Sequence, residues 1–251
     1  MPFPTTSAAE LRHHLDRLGI EPGDRLAVHS RLLSFGRVEG GPALVCQVLR
    51  ERIGESGTLI VPAYTFDPVP PFDPAHRPGE GVGALSDHVR LLPGAIRSLC
   101  PIHSHAGIGP EAVLLRQSDP ECSLGPGSDF DLMRRHGFKV LLLGCGFSEG
   151  CAYIHHVEAV AGVPYRHWLT LARQRVEPDG GLRPVICRYY ARSRTDLTPD
   201  FEPVRRRLDA AGLVASAPCP LGESHACRIE DLHAVTLALL RDDPMALMGG
   251  G

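Results

Sequence analysis

An α/β layered fold, with a central mixed β-sheet flanked by helices in a single domain, is predicted by three observations. Three short apolar runs, Arg25–Ser30, Gly57–Pro62 and Lys139–Gly144, lack polar alternation, as strands buried on both faces do. Segments with helical spacing separate them, which is the pattern of a layered α/β protein. Leu169–Glu177 and Val185–Arg192 alternate about the turn Pro178-Asp-Gly-Gly181, a hairpin that predicts a mixed rather than an all-parallel sheet.

The elements follow in order. Ser7-Ala-Ala-Glu10 fits a capping box, and Leu11, Leu15 and Leu18 continue it at helical spacing until Pro22-Gly23. The strand Arg25–Ser30 empties into the turn Ser34-Phe-Gly36 and the pair Gly40-Gly41. A helix over Ala43–Ile53 and the strand Gly57–Pro62 come next. Residues 66–82 are too rich in proline, glycine and aspartate for regular structure and read as a long, functional loop. Gly83–Leu92 is predicted as a short helix stopped by Pro93-Gly94. Pro110–Arg116 and Ser128–Arg135 read as helices, the latter starting at Ser128-Asp129. After Lys139–Gly144 a segment from Tyr153 to Tyr165 continues into the hairpin, and helices over Pro203–Ala211 and Ile229–Arg241 close the chain.

Composition narrows the class. With 251 residues, 43% hydrophobic and 22% charged, the chain is ordinary for a globular protein, and no repeat, low-complexity tract or linker divides it. We therefore expect one domain over residues 1–251. A formal net charge of −3 provides no basic footprint for nucleic acid and no polybasic patch for a membrane. The longest apolar runs are far below the roughly 20 residues that span a bilayer. Met1-Pro-Phe-Pro lacks the features of a signal peptide, so a cytoplasmic location is expected. The eight cysteines form no CxxC pair and read as reduced thiols in small apolar sites.

Three constellations carry chemistry. His155 and Glu158 stand three apart, so a helix places the imidazole and the carboxylate on one face, while His156 points about 100° away. A histidine oriented by a carboxylate is a general base that works near neutral pH, although spacing alone also fits a surface helix. His29-Ser30 at a strand end, followed by Phe35-Gly36 and Gly40-Gly41, lets backbone approach a ligand at a helix N-terminus. No GK[ST] follows, so this is not a phosphate loop. Arg97-Ser98 precedes Pro101-Ile-His-Ser-His-Ala-Gly107, where His103 and His105 have spacing open to a metal completed by His155, His156 or Glu158. Solvated loop histidines are the alternative.

Taken in order, Gly23–Ser30, Gly57–Pro62, Pro71–Pro74, Pro93–Ser98, Gly125–Ser128, Val140–Gly144 and His155–Glu158 running on to Val163-Pro-Tyr165 resemble the aminoglycoside 3-N-acetyltransferase family. The resemblance runs from about Leu11 to Pro244. It implies an N-acetyltransferase with acetyl-CoA as donor cosubstrate, no metal, and a small-molecule amine as acceptor. A homodimer is left open. His155 corresponds to the family's catalytic histidine and Glu158 to the residue that orients it. The family's coenzyme contacts fall on His29, Ser30, Phe35 and Gly36, and on Arg97, Ser98 and Ser104. Asp67 falls where the family places a carboxylate near the acceptor amine.

The chain departs from the family at Cys100, where a histidine is usual, and at Cys151-Ala152, where Asn-Thr or similar is frequent. Some members carry carboxylates near the end of the hairpin, where this chain has Arg188, Arg192 and Arg194. That reversal implies an acceptor amine on an anionic scaffold gripped by Arg192 and Arg194. Two rivals predict other behaviour: a metal-dependent hydrolase built on His103, His105, His155 and Glu158, and a coenzyme A-binding pseudoenzyme.

Overall fold

The computed structural model describes residues 3–67, 70–75, 82–194 and 196–249. A seven-stranded mixed sheet forms its centre. In spatial order the strands are Val214–Cys219, Gly222–Arg228, Lys139–Leu143, Arg25–Ser30, Thr58–Pro62, His105–Ile108 and Ile96–Arg97. Arg25–Ser30 pairs parallel with both neighbours, aligning Ala27 with Val140 on one side and Ile60 on the other. Every other pair in this sheet is antiparallel.

The three strands expected from apolar runs are thus the parallel centre. Their side chains divide by parity, because successive residues face opposite sides. Leu26, Val28, Leu59, Val61, Leu141 and Leu143 pack against the helices Ala8–Arg17, Gly41–Ile53 and Ala84–Arg90. Ala27, Ile60, Val140 and Leu142 pack against Asp129–Arg135, Tyr153–Ala161, Glu202–Ala210 and Ile229–Asp242. Helices on both faces bury the centre fully, which is why these strands carry no polar alternation.

The local expectations largely hold. Ser7 Oγ accepts from the Glu10 N–H while Glu10 accepts from the Ser7 N–H at 2.7 Å, closing the capping box. Pro110–Arg116 is a 3₁₀ helix, the form common in short connecting segments. Two corrections concern strands. The hairpin spans Arg166–Val176 and Leu182–Arg192, longer than expected, and forms its own two-stranded sheet. It therefore does not make the central sheet mixed; the antiparallel strands at both edges do, and none of those four was expected. Of the loop 66–82, residues 68–69 and 76–81 lie outside the described residues. Among the described residues no helix is long and apolar enough to cross a membrane.

Candidate active site

The carboxyl ends of the three parallel strands open onto a cavity of about 390 Å³. His29, Ser30 and Arg31 leave one strand there, Pro62 another, and Cys145 follows the third. Crevices outside the carboxyl ends of parallel strands are where open α/β sheets bind ligands. Gly144 makes the third exit: its φ is 76°, and an added Cβ would stand 2.8 Å from the Arg31 carbonyl oxygen. A side chain here would push the two strand ends apart.

The helix Tyr153–Ala161 forms one wall and ends at Gly162, whose φ of 69° is the left-handed conformation glycine adopts without penalty. His155 lines the cavity with its ring edge-on to Phe201, at 5.5 Å between centroids. Its Nδ1 lies 2.7 Å from Oε2 of Glu158, which is fully buried. Tyr165 donates to the other carboxylate oxygen at 2.9 Å, and Arg166 Nε stands 2.7 Å from Oε2. Burial alone raises the Glu158 pKa. The hydrogen bond and charge of His155, the Arg166 charge and the Tyr165 hydroxyl outweigh it and hold the carboxyl below its ordinary value.

His155 Nδ1 has a second neighbour, Arg166 Nη2 at 2.9 Å. A guanidinium only donates and a carboxylate only accepts, so Nδ1 satisfies one of them. The carboxylate contact is shorter, and it places the proton on Nδ1. Nε2 then keeps its lone pair, the tautomer required of a base. His156 faces elsewhere, with Nδ1 2.6 Å from the Leu124 carbonyl oxygen and the ring buried.

Tyr64 and Phe66 form another part of the wall. Tyr64 Oη lies 3.3 Å from Nε2 of His105, whose Nδ1 is 2.9 Å from Asp129 Oδ2. His29, also at the wall, is buried, and that burial and the nearby His105 push its pKa down to about 3, so it stays neutral.

The other expected contacts are dispersed. His29 and Ser30 line the cavity. Phe35 is buried in the opposite core cluster, and Gly36 packs on Pro4 with no room for a Cβ. Ser98 is buried against Asp129, and Ser104 donates to the Ala63 carbonyl. Arg97 donates to the Ala63 carbonyl at 2.6 Å, to Ser104 and to Thr65, and lies over the Phe72 ring at 4.9 Å. These residues brace the 97–104 segment behind the wall. Asp67 is exposed and follows the wall residue Phe66. Arg192 donates to the Leu197 carbonyl, and Arg194 is forked onto Asp196. Neither is among the residues lining the cavity.

The ligand set of the hydrolase rival is not assembled. His103 Nδ1 bonds Ser123 Oγ, and His105 is committed to Asp129 and Tyr64. Among the described residues no group of three or more His, Cys, Asp or Glu side chains is arranged to hold a metal ion.

Sequence reasoning missed Tyr64, Asp129, Tyr165 and Arg166. Tyr165-Arg166 directly follows Pro164, and an arginine entering a strand beside an H-x-x-E helix was a signal to weigh. Tyr64 and Asp129 meet through His105, across 41 and 24 residues, and no local spacing announces that.

Comparison with known proteins identifies the family. The sequence model described as aminoglycoside 3-N-acetyltransferase matches residues 27–241. An aminoglycoside N(3)-acetyltransferase III of Serratia marcescens is 32% identical over 238 residues, covering 83% of each chain. The crystal structure of aminoglycoside acetyltransferase AAC(3)-IIb superposes with a TM-score of 0.84 at 26% identity, covering 95% of this chain and 98% of that one. A histidine-to-alanine mutant of AAC(3)-IVa, in complex with a gentamicin, gives a TM-score of 0.82 at 29% identity over 98% of this chain and 92% of its own. The chain belongs to the aminoglycoside 3-N-acetyltransferase family, a family of acetyl-CoA-dependent N-acetyltransferases.

Proposed function

We propose that this chain, acting as one domain, transfers the acetyl group of acetyl-CoA to a primary amine of an aminoglycoside-type amino sugar, with His155 as general base. The observation that carries the proposal is the buried Glu158 carboxylate 2.7 Å from His155 Nδ1 at the wall of a cavity above the parallel strand ends. An alkyl ammonium has a pKa near 10 and cannot attack a thioester until it loses a proton. That proton goes to solvent; His155 Nε2 then takes one N–H proton of the neutral amine as its nitrogen bonds to the acetyl carbon. The tetrahedral intermediate then collapses, the carbon–sulfur bond breaks, and the thiolate of coenzyme A leaves with its electron pair. His155 returns the proton to that sulfur. Direct attack is the simplest route, because both cysteines at the wall are poor nucleophiles: burial pushes the Cys145 and Cys151 thiols up to about 12.

His29 and Ser30 are proposed as coenzyme contacts at the wall, and Asp67 as a carboxylate near the acceptor. A cytoplasmic setting belongs to the proposal and is supported by eight cysteines that are all free thiols.

A finer reading, an acceptor carrying phosphate or carboxylate, rests on Arg188, Arg192 and Arg194. Of these, Arg194 is paired with Asp196 and Arg188 lies over the Trp168 ring. One experiment tests both readings: thiol release from acetyl-CoA against aminoglycosides, neutral amino sugars and nucleotide-linked amino sugars. Release with aminoglycosides supports the proposal, and release confined to anionic amines moves it to the finer reading. Coenzyme binding without release by any amine would leave the pseudoenzyme.

A further inference from the structure

The site contains a second histidine–carboxylate pair that the transfer mechanism does not use. Asp129 opens the helix Asp129–Arg135, and its Oδ2 accepts from the His105 backbone N–H at 3.0 Å, from His105 Nδ1 at 2.9 Å and from Ser98 Oγ. Both side chains are 1% exposed. Asp129 Oδ1 is buried and has no hydrogen-bond partner among the described residues. A buried carboxylate with half of its acceptor capacity unmet is an expensive way to fill a core, and an apolar side chain would pack there without that penalty. Its effect is on His105. A carboxylate only accepts, so Nδ1 carries a proton, and in that tautomer Nε2 is the acceptor. Nε2 faces Tyr64 Oη at 3.3 Å, and Tyr64 lines the same cavity as His155. Burial holds the Tyr64 pKa well above the usual tyrosine range, so the group remains a hydroxyl.

We infer that Tyr64 is an acceptor-positioning residue whose O–H is turned onto His105 by the Asp129–His105 pair, so that its oxygen lone pairs receive an N–H of the attacking amine. Phe130 and His103 wedge the Tyr64 ring edge-on or tilted at 6.5 and 4.9 Å, which limits its swing. A neutral primary amine has two N–H bonds. One is given up to His155 Nε2 and the other is held by Tyr64 Oη, which leaves the nitrogen lone pair directed between them at the thioester carbon. A secondary amine has a single N–H and cannot satisfy both. Tyr64 thereby selects primary amines. The inference rests on the transfer reading above and specifies how its acceptor is held.

The test is steady-state kinetics of Tyr64→Phe with a primary amino sugar that the wild type acetylates and with its N-methyl analogue. Removing the hydroxyl while keeping the ring is expected to lower kcat/KM for the primary amine about tenfold, the scale of one hydrogen bond, with KM for acetyl-CoA unchanged. The preference for the primary over the N-methyl amine is expected to shrink by a similar factor. Asp129→Asn is expected to lower kcat/KM about threefold in the wild type and to have no effect in the Y64F background, because it acts through Tyr64. If Asp129→Asn does not fold, the Tyr64→Phe comparison stands alone. An active wild type with Y64F within twofold for both amines overturns the inference, as does an equal loss from D129N in both backgrounds. A wild type that releases no thiol with any amine instead removes the transfer reading itself.

Discussion

Glu158 Oε2 lies 2.7 Å from His155 Nδ1 and 2.7 Å from Arg166 Nε, so one buried carboxylate serves both a histidine and an arginine. The imidazole thus meets an anion and a cation at one nitrogen, since the guanidinium also lies 2.9 Å from Nδ1. His155 is 27% exposed on its side chain, while Glu158 and Arg166 are 0% and 5% exposed. Four measurements follow from this and from the packing around it.

His155→Ala removes the proposed base. Transfer is expected to fall by at least a hundredfold, with coenzyme A affinity nearly unchanged, measured as thiol release and by calorimetry. A variant keeping more than about a tenth of the wild-type rate would refute the assignment. Glu158→Gln retains the shape and loses the charge, so its loss is expected to be smaller.

Arg166→Met tests the opposing charge. Without the guanidinium, Glu158 loses a charge that lowers its pKa, while the burial that raises it stays. The carboxyl then protonates at higher pH, and the acid limb of the kcat/KM profile is expected to move up with it. Removing the partner of a buried carboxylate is also expected to lower the melting temperature. An unmoved acid limb in a folded variant would show that Arg166 is structural.

Buried histidines govern acid stability. Burial, their largest perturbation, lowers His29 to about 3 and His14 and His156 to about 4, and takes His103 well below 6.5. The folded pKa is below the unfolded one in each case, so the unfolded chain binds protons first as pH falls. Stability is therefore complete above about pH 6.5 and declines toward about pH 4. The depressed Glu158 carboxyl adds a further loss as pH falls below its ordinary 4.5. Denaturant midpoints at about pH 7.5, 6 and 5 should drop progressively, and equal midpoints would contradict this account.

The thiols divide by exposure. Cys219 is half-buried and the other seven cysteines are buried. Burial pushes Cys145 and Cys151 up to about 12; the bond to Cys187 and burial take Cys100 well above its usual range. A thiol-specific disulfide reagent should modify Cys219 first on the native protein and all eight after unfolding. Rapid labelling of Cys100 or Cys151, followed by peptide mapping, would count against the packing described here.

The central strands were legible because burial on both faces leaves its mark inside each strand. Leu26, Val28, Leu141 and Leu143 face one helix layer and Ala27, Val140 and Leu142 the other, so no polar position interrupts the runs. The edge strands were not legible. Gly222–Arg228 reads Gly-Glu-Ser-His-Ala-Cys-Arg, and His105–Ile108 contains a glycine that packs on Ile60, so neither has an apolar or alternating pattern of its own. Their pairing comes from the exposed edges of the parallel strands that they complete. The hairpin was legible as a hairpin, since alternation and turn residues are local, but its separation from the sheet was not.

The candidate site divides along the same line. The sequence by itself determined the His155–Glu158 pair, because residues three apart on a helix share a face whatever surrounds them. It also determined the strand end at His29-Ser30, and with it one side of the cavity. Only the tertiary structure decided that Arg166 shares Glu158, that Ser98 and Ser104 turn inward, and that Asp129 reaches Tyr64 through His105. Those contacts join segments that sequence separates by up to 41 residues. Each depends on how sheet, helix and loop are stacked, and side-chain hydrogen bonds form only after that packing has brought donor and acceptor to within about 3 Å.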